Sequence, residues 1–155
     1  MQPSTQAIRI FLVEDSPIIR ENLIGLFDDL IPSELVGWAA DQDEAMGWLT
    51  ANADGWDLAV VDLFLKTGNG IAILQRFKTR KPLQKMVVLS NYATARAREQ
   101  CLSAGADAIF DKSQELESFV DFALALTRAG AAHVAEPRHS PSTAVVRPWP
   151  QVRLS

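Results

Sequence analysis

The chain has 155 residues, 48% hydrophobic and 22% charged, with a formal net charge of −4. That balance suits one globular domain with a self-supporting core and excludes a fibrous or wholly disordered chain. Residues 1–127 hold 11 Lys plus Arg against 18 Asp plus Glu, and residues 128–155 hold 4 against 1, so the body lacks the basic face that nucleic-acid binding needs and no direct contact with nucleic acid is expected. No apolar run is long enough to span a bilayer, and Met1 to Val13 lacks the basic and long apolar segments of a signal peptide. The expectation is a cytoplasmic protein with no membrane partner. Cys101, without a second cysteine, reads as a small core residue.

Strand and helix signals alternate from Ile8. Ile8–Val13 is a short Ile, Leu and Val run that suits a strand buried on both faces. Ser16 and Pro17 then open a helix, as cap and first helical residue, that runs to Ile31 before Pro32. Ile19, Leu23, Leu26, Phe27 and Leu30 fall on its inner face, and Arg20, Glu21, Asp28 and Asp29 on its wet face. A strand over 34–40 and a helix over 44–53 follow, with Asp41 as cap, then the strand Leu58–Asp62 and a helix over 70–80. The strand Met86–Ser90, a helix over 93–104 ending at a left-handed Gly105, the strand 107–111 and a helix over 115–128, with Ser113 as cap, complete five β-α units. Trp38, Trp48 and Trp56 are expected to pack around the second helix.

Four of these strands end in reactive residues: Glu14-Asp15, Asp62, Ser90, and Asp111-Lys112. Ligands of open α/β sheets gather at the strands' carboxyl ends, so parallel neighbours would bring these groups into one cleft. Glu14, Asp15 and Asp62 repel one another and need a counter-charge, for which Mg²⁺, a hard ion that takes carboxylate oxygens and a phosphoryl oxygen, is the natural candidate. Asp62 can serve as a nucleophile towards phosphorus, with Lys112 as a point charge and Ser90 as a hydroxyl donor on the phosphoryl group. Asp111 is expected to point away from the cleft.

In this order and at these strand ends, the residues from 8 to about 127 resemble the receiver domain of two-component response regulators. The resemblance implies a doubly wound (βα)5 parallel sheet of flavodoxin-like topology, strand order 2-1-3-4-5. It places a receiver domain at 6–128 and a mostly disordered, Pro-rich tail at 129–155. By its motifs, Glu14 and Asp15 match the acidic pair, Asp62 the phospho-acceptor, Ser90 the switch hydroxyl and Lys112 the conserved-motif lysine of the family. The main-chain carbonyl of Phe64 would be a further Mg²⁺ ligand, and Gly68-Asn69-Gly70 resembles the turn opening the third helix. The implied donor is a sensor histidine kinase or a histidine phosphotransfer protein. The implied output is a downstream protein bound on the face of the fourth helix, fifth strand and fifth helix, from a regulator standing alone. It would be no enzyme beyond its own Mg²⁺-dependent phosphorylation and dephosphorylation.

This chain departs from the family pattern at three places. Ile109 stands where an aromatic switch is common, and Phe110 should face the other side of the strand. Ser113 replaces a proline after Lys112, so a trans bond is expected there, the cis form costing about 3 kcal/mol. Phe64 and Tyr92 crowd the path of the attacking water, from which slow hydrolysis is expected. The fifth helix, with Phe119, Val120, Phe122 and Leu126 among its apolar residues, carries more than one buried stripe requires, which suggests a partner or a homodimer. Val145 to Pro150 is a candidate docking peptide around Trp149. His133 and His139 lack metal-ligand spacing. Three rivals are a receiver-like binding module that no longer cycles, an aspartyl-phosphate phosphohydrolase, and an FMN carrier. Phe64 stands where a phosphohydrolase would have its second aspartate, and carboxylates follow Val13 where a flavin phosphate would need neutral donors.

Overall fold

The computed structural model describes residues 7–135, with side chains to Arg128. The elements are β1 (Ile8–Val13), α1 (Pro17–Leu30), β2 (Ser33–Ala39), α2 (Gln42–Ala51), β3 (Leu58–Asp62), α3 (Gly70–Arg76), β4 (Lys85–Ser90), α4 (Ala95–Ala104), β5 (Ala108–Asp111) and α5 (Leu116–Ala135). The five strands form one parallel sheet in the order β2-β1-β3-β4-β5. This is the flavodoxin-like doubly wound arrangement. The reversal of order between β1 and β3 creates the crevice where such folds place their ligands.

β1, β3, β4 and β5 are largely apolar because helices cover both faces of the sheet, whereas the edge strand β2 is mostly half-buried or exposed. Phe11, Val13, Ala59, Val61, Met86, Val88 and Ile109 point into one core with residues of α2, α3 and α4. Ile10, Leu12, Leu58, Val60, Val87, Leu89 and Phe110 point into the other, against α1 and α5. Ile109 and Phe110 therefore face opposite sides, as their adjacency in a strand requires. At the amino edge, Asp57 takes hydrogen bonds from the Arg9 main-chain N–H at 2.7 Å and from its guanidinium at 3.1 and 3.0 Å, which pins β1 against the approach to β3.

Ser16 Oγ accepts from Ile19 N at 3.3 Å and Asp41 Oδ1 from Glu44 N at 2.9 Å, so both cap their helices. Gly105 closes α4 at φ +113°. Several boundaries move for local reasons. Thr94 Oγ1 accepts from Ala97 N at 3.1 Å, so α4 starts after it. α3 stops at Arg76, and Arg80 instead bonds the carbonyls of Phe77, Lys78, Gln84 and Gly105. α5 runs past the expected end at 128 to Ala135, through a segment with four alanines whose helix preference outweighs Gly130. Ser113 is not a cap. Its N–H and hydroxyl both donate to Asp111 Oδ1, at 2.7 and 2.6 Å, and α5 begins only at Leu116, too far along the chain for Ser113 to cap it.

Leu30 is exposed, and Ile31 fills the core position in its place. Trp48 stacks on Phe11 with ring centroids 4.2 Å apart, and Trp56 is buried in the same core. Trp38 does not pack on α2: it is half-exposed under the guanidinium of Arg20, 3.8 Å from the ring centroid. Arg20, expected in water, thus covers an aromatic ring instead. On α5, Phe119, Val120, Phe122 and Ala123 are buried, and Leu116, Leu124 and Leu126 pack partly buried on the same core, which accounts for the breadth of the apolar face. Cys101 is buried, and burial pushes its thiol up to about 11. No helix among the described residues is long and apolar enough to cross a membrane. The segment 136–155, with His139 and the candidate docking peptide, and the side chain of His133, lie outside what is described.

Candidate functional site

Strand register decides which side chains meet. Val13 pairs with Val61, Asp62 with Leu89, and Ser90 with Asp111. The residues at or just past these pairs are therefore neighbours across the sheet's carboxyl edge. Carboxylate oxygens of Glu14, Asp15 and Asp62 lie within 4.8 Å of one another. Lys112 Nζ stands 2.7 Å from Glu14 Oε1 and 3.4 Å from Asp62 Oδ2. Main-chain bonding fixes the lysine's starting point, since Lys112 N donates to the Ser90 carbonyl at 2.9 Å.

Each carboxylate is held differently. Glu14 is almost fully buried, and its second oxygen accepts from Ser16 N at 3.2 Å. Asp15 is half-exposed, and its Oδ2 accepts from Lys66 N at 2.6 Å, which draws the loop after β3 towards it. Burial is the largest influence on Asp62 and pushes its carboxyl up from 3.8 to about 6; Lys112 pulls it down and Glu14 adds to the rise. A carboxylate kept this reluctant to ionise at the end of a buried strand is one that a cation would relieve. Three hard oxygen ligands converging with one ammonium suit a small divalent ion such as Mg²⁺, and the side chains of Glu14, Asp15 and Asp62 could hold it.

Ser90 is fully buried, and its Oγ accepts from Tyr92 N at 2.9 Å, which leaves its O–H as the donor. Phe64 lies on the loop after β3 with its side chain 57% exposed, in edge-to-face contact with Tyr92, 63% exposed, at 5.4 Å between centroids. The two rings pack against each other on the loops that follow β3 and β4. Asn69 caps α3 through Oδ1 and Ala72 N at 2.9 Å. At Gly70, a Cβ would sit 2.5 Å from the Asp62 carbonyl oxygen, so this position admits only glycine without moving the site. Asp111 points away, towards Ser113 and Gln114, and the hydrogen bond from the Ser113 hydroxyl leads the effects that hold it below the ordinary carboxylate range. Among the described residues no peptide bond is cis, so Lys112–Ser113 is trans.

Sequence reasoning missed three supports. Arg20 Nη1 donates to the Glu14 carbonyl at 3.0 Å, Lys66 N holds Asp15, and Arg98 of α4 bridges to Glu115. Arg20 was assigned to the wet face of its helix, Arg98 carries no motif that singles it out, and a main-chain N–H such as that of Lys66 leaves no trace in residue type.

Residues 10–123 match the family model of the response regulator receiver domain. The chain belongs to that family. It is 31% identical over 99 residues to the DNA-binding transcriptional activator DevR/DosR of Mycobacterium tuberculosis, a match covering 64% of this chain and 45% of that protein. The chain spans less than half the length of this and the next curated relatives it matches. Among solved structures it resembles a LuxR-family two-component response regulator from Aurantimonas, with a TM-score of 0.68 at 23% identity, covering 97% of this chain and 100% of that one. It also resembles the phosphorylated cyanobacterial phytochrome response regulator RcpA, with a TM-score of 0.58 at 26% identity, covering 88% and 99%. Receiver domains of this family generally bind Mg²⁺ at an acidic pocket and interact with histidine kinases or phosphotransfer proteins.

Proposed function

We propose that this receiver accepts a phosphoryl group on Asp62 from a sensor histidine kinase or a histidine phosphotransfer protein, and thereby switches a protein-binding surface. The observation that carries the reading is the placement of Asp62 among Glu14, Asp15 and Lys112 Nζ, the last 3.4 Å from its Oδ2. A carboxylate oxygen of Asp62 attacks the phosphorus, the donor's P–N bond breaks, and its electron pair returns to the imidazole. Bound Mg²⁺ would neutralise charge on the reacting phosphoryl oxygens. Glu14, Asp15, Asp62 and the Phe64 main-chain carbonyl are its proposed ligands.

Lys112 Nζ balances the charge of the transferred group, and the Ser90 hydroxyl donates to one of its oxygens. For Ser90 to do so its Oγ must turn away from Tyr92 N, so the loop after β4 moves with it. Hydrolysis ends the phosphorylated state: water attacks phosphorus, the P–O bond to Asp62 breaks, the carboxylate is restored and inorganic phosphate leaves. Phe64 and Tyr92 restrict that water's approach and lengthen the phosphorylated state. The downstream partner binds the α4, β5 and α5 face. The likeness to RcpA, a response regulator solved in its phosphorylated form, supports phosphorylation on this fold.

The deciding experiment is intact mass after incubation with Mg²⁺ and acetyl phosphate, for the wild type and Asp62→Ala. A single adduct of about 80 Da that needs Mg²⁺ and vanishes in Asp62→Ala is expected for a phospho-acceptor carboxylate. An adduct that survives the substitution, or none in the wild type, refutes the reading.

A further inference from the structure

Arg98 of α4 is tied to three segments at once. Its Nε donates to the Ala93 carbonyl, in the loop after β4, at 2.9 Å. Its Nη1 donates to the Ile109 carbonyl of β5 at 3.2 Å, and its Nη2 to Glu115 Oε1, at the entrance to α5, at 2.9 Å. The same Glu115 oxygen accepts from Asp111 N at 2.9 Å, next to Lys112. The pair is withdrawn from water, with side chains 17% and 8% exposed. Desolvation offsets most of the attraction in such a pair, so it is a weak source of stability and a strict geometric link.

The family's usual relay from the switch hydroxyl is an aromatic side chain, and this chain has Ile109 there, sealed in the core. We infer that Arg98 is a positioning residue whose pairing with Glu115 carries movement of the Ser90 loop to β5 and α5. The inference rests on Asp62 being the phospho-acceptor. When the Ser90 hydroxyl turns to the phosphoryl oxygen it leaves Tyr92 N, and the Ala93 carbonyl one residue on shifts with the loop. A guanidinium is planar, with donors in fixed relative directions. Displacing its Nε partner therefore re-aims both Nη groups, and β5 and the start of α5 must follow. A lysine would keep the charge but, with one nitrogen on a flexible stem, could not hold all three partners.

The test is amide hydrogen exchange of the full chain with Mg²⁺ alone and with Mg²⁺ plus beryllium fluoride, a phosphoryl mimic, in the wild type, Arg98→Lys and Glu115→Ala. In the wild type, exchange should change both at 91–94 and at 109–119. In Arg98→Lys the change at 91–94 and the Mg²⁺-dependent mass adduct with acetyl phosphate should persist, and the change at 109–119 should be lost. Glu115→Ala, which removes the acceptor of Arg98 Nη2 while leaving Arg98 its bonds to the Ala93 and Ile109 carbonyls, should show the same loss. A wild-type response at 109–119 in either variant overturns the coupling and leaves the Asp62 assignment standing, as does a wild type that responds only at 91–94. A wild type that forms no adduct and responds nowhere overturns both.

Discussion

Asp62→Asn should stabilise the metal-free protein, although it removes the proposed reacting group. Burial raises the Asp62 carboxyl from 3.8 to about 6, which means that the folded state binds this proton more tightly than the unfolded chain does. The stability it contributes is complete below pH 3.8 and is lost as pH rises through about 6. At about 1.4 kcal/mol for each tenfold change in proton affinity, holding Asp62 ionised at pH 7.5 costs the fold about 3 kcal/mol. Asparagine avoids that cost and keeps one acceptor oxygen for Lys112 Nζ, which stands 3.4 Å from Asp62 Oδ2. Urea unfolding in EDTA, followed by tryptophan fluorescence, should show the variant more stable by about 3 kcal/mol at pH 7.5, the gap narrowing to about half at pH 5. A variant no more stable than the wild type at pH 7.5, or a gap that does not narrow in acid, would refute the account of Asp62 as a strained carboxylate.

Lys112→Met should act the opposite way, leaving the buried Glu14 without its partner at 2.7 Å and costing about 3–5 kcal/mol in EDTA, with Mg²⁺ restoring part of it in the same urea titration. Gly70→Ala places a methyl 2.5 Å from the Asp62 carbonyl oxygen and should cost about 1–3 kcal/mol and slow adduct formation with acetyl phosphate, read by mass. Phe64→Ala with Tyr92→Ala removes the two exposed rings proposed to hinder the attacking water and should shorten the phosphoryl lifetime about tenfold, equivalent to about 1.4 kcal/mol of barrier, measured by phosphate release. Cys101, its thiol pushed up to about 11 by burial, should resist iodoacetamide at pH 8 until the protein is unfolded.

The elements and the inventory of the site are legible in residue order alone. Runs such as Leu58–Asp62, apolar on both faces and ending in one carboxylate, announce a buried parallel strand and its reactive tip, because only a doubly covered sheet tolerates them. Caps were legible where the acceptor directly precedes its helix in the chain, as at Ser16 and Asp41, and misread at Ser113, whose hydroxyl turns to the Asp111 carboxylate instead. Trp38 and Arg20 were misplaced because periodicity says which residues are apolar, not which long side chain will lie across a ring.

What only the tertiary structure decided is distance and its electrostatic consequence. Glu14 and Lys112 lie at opposite ends of the fold's sequence yet 2.7 Å apart, and the upward shift of Asp62 exists only because strand register buries it beside them. The Arg98 link is likewise invisible in residue order, since two of its three partners are carbonyls that every residue possesses. Residue type sets which chemistry is available, and the register of parallel strands, fixed by packing on two cores, sets which groups are close enough to perform it.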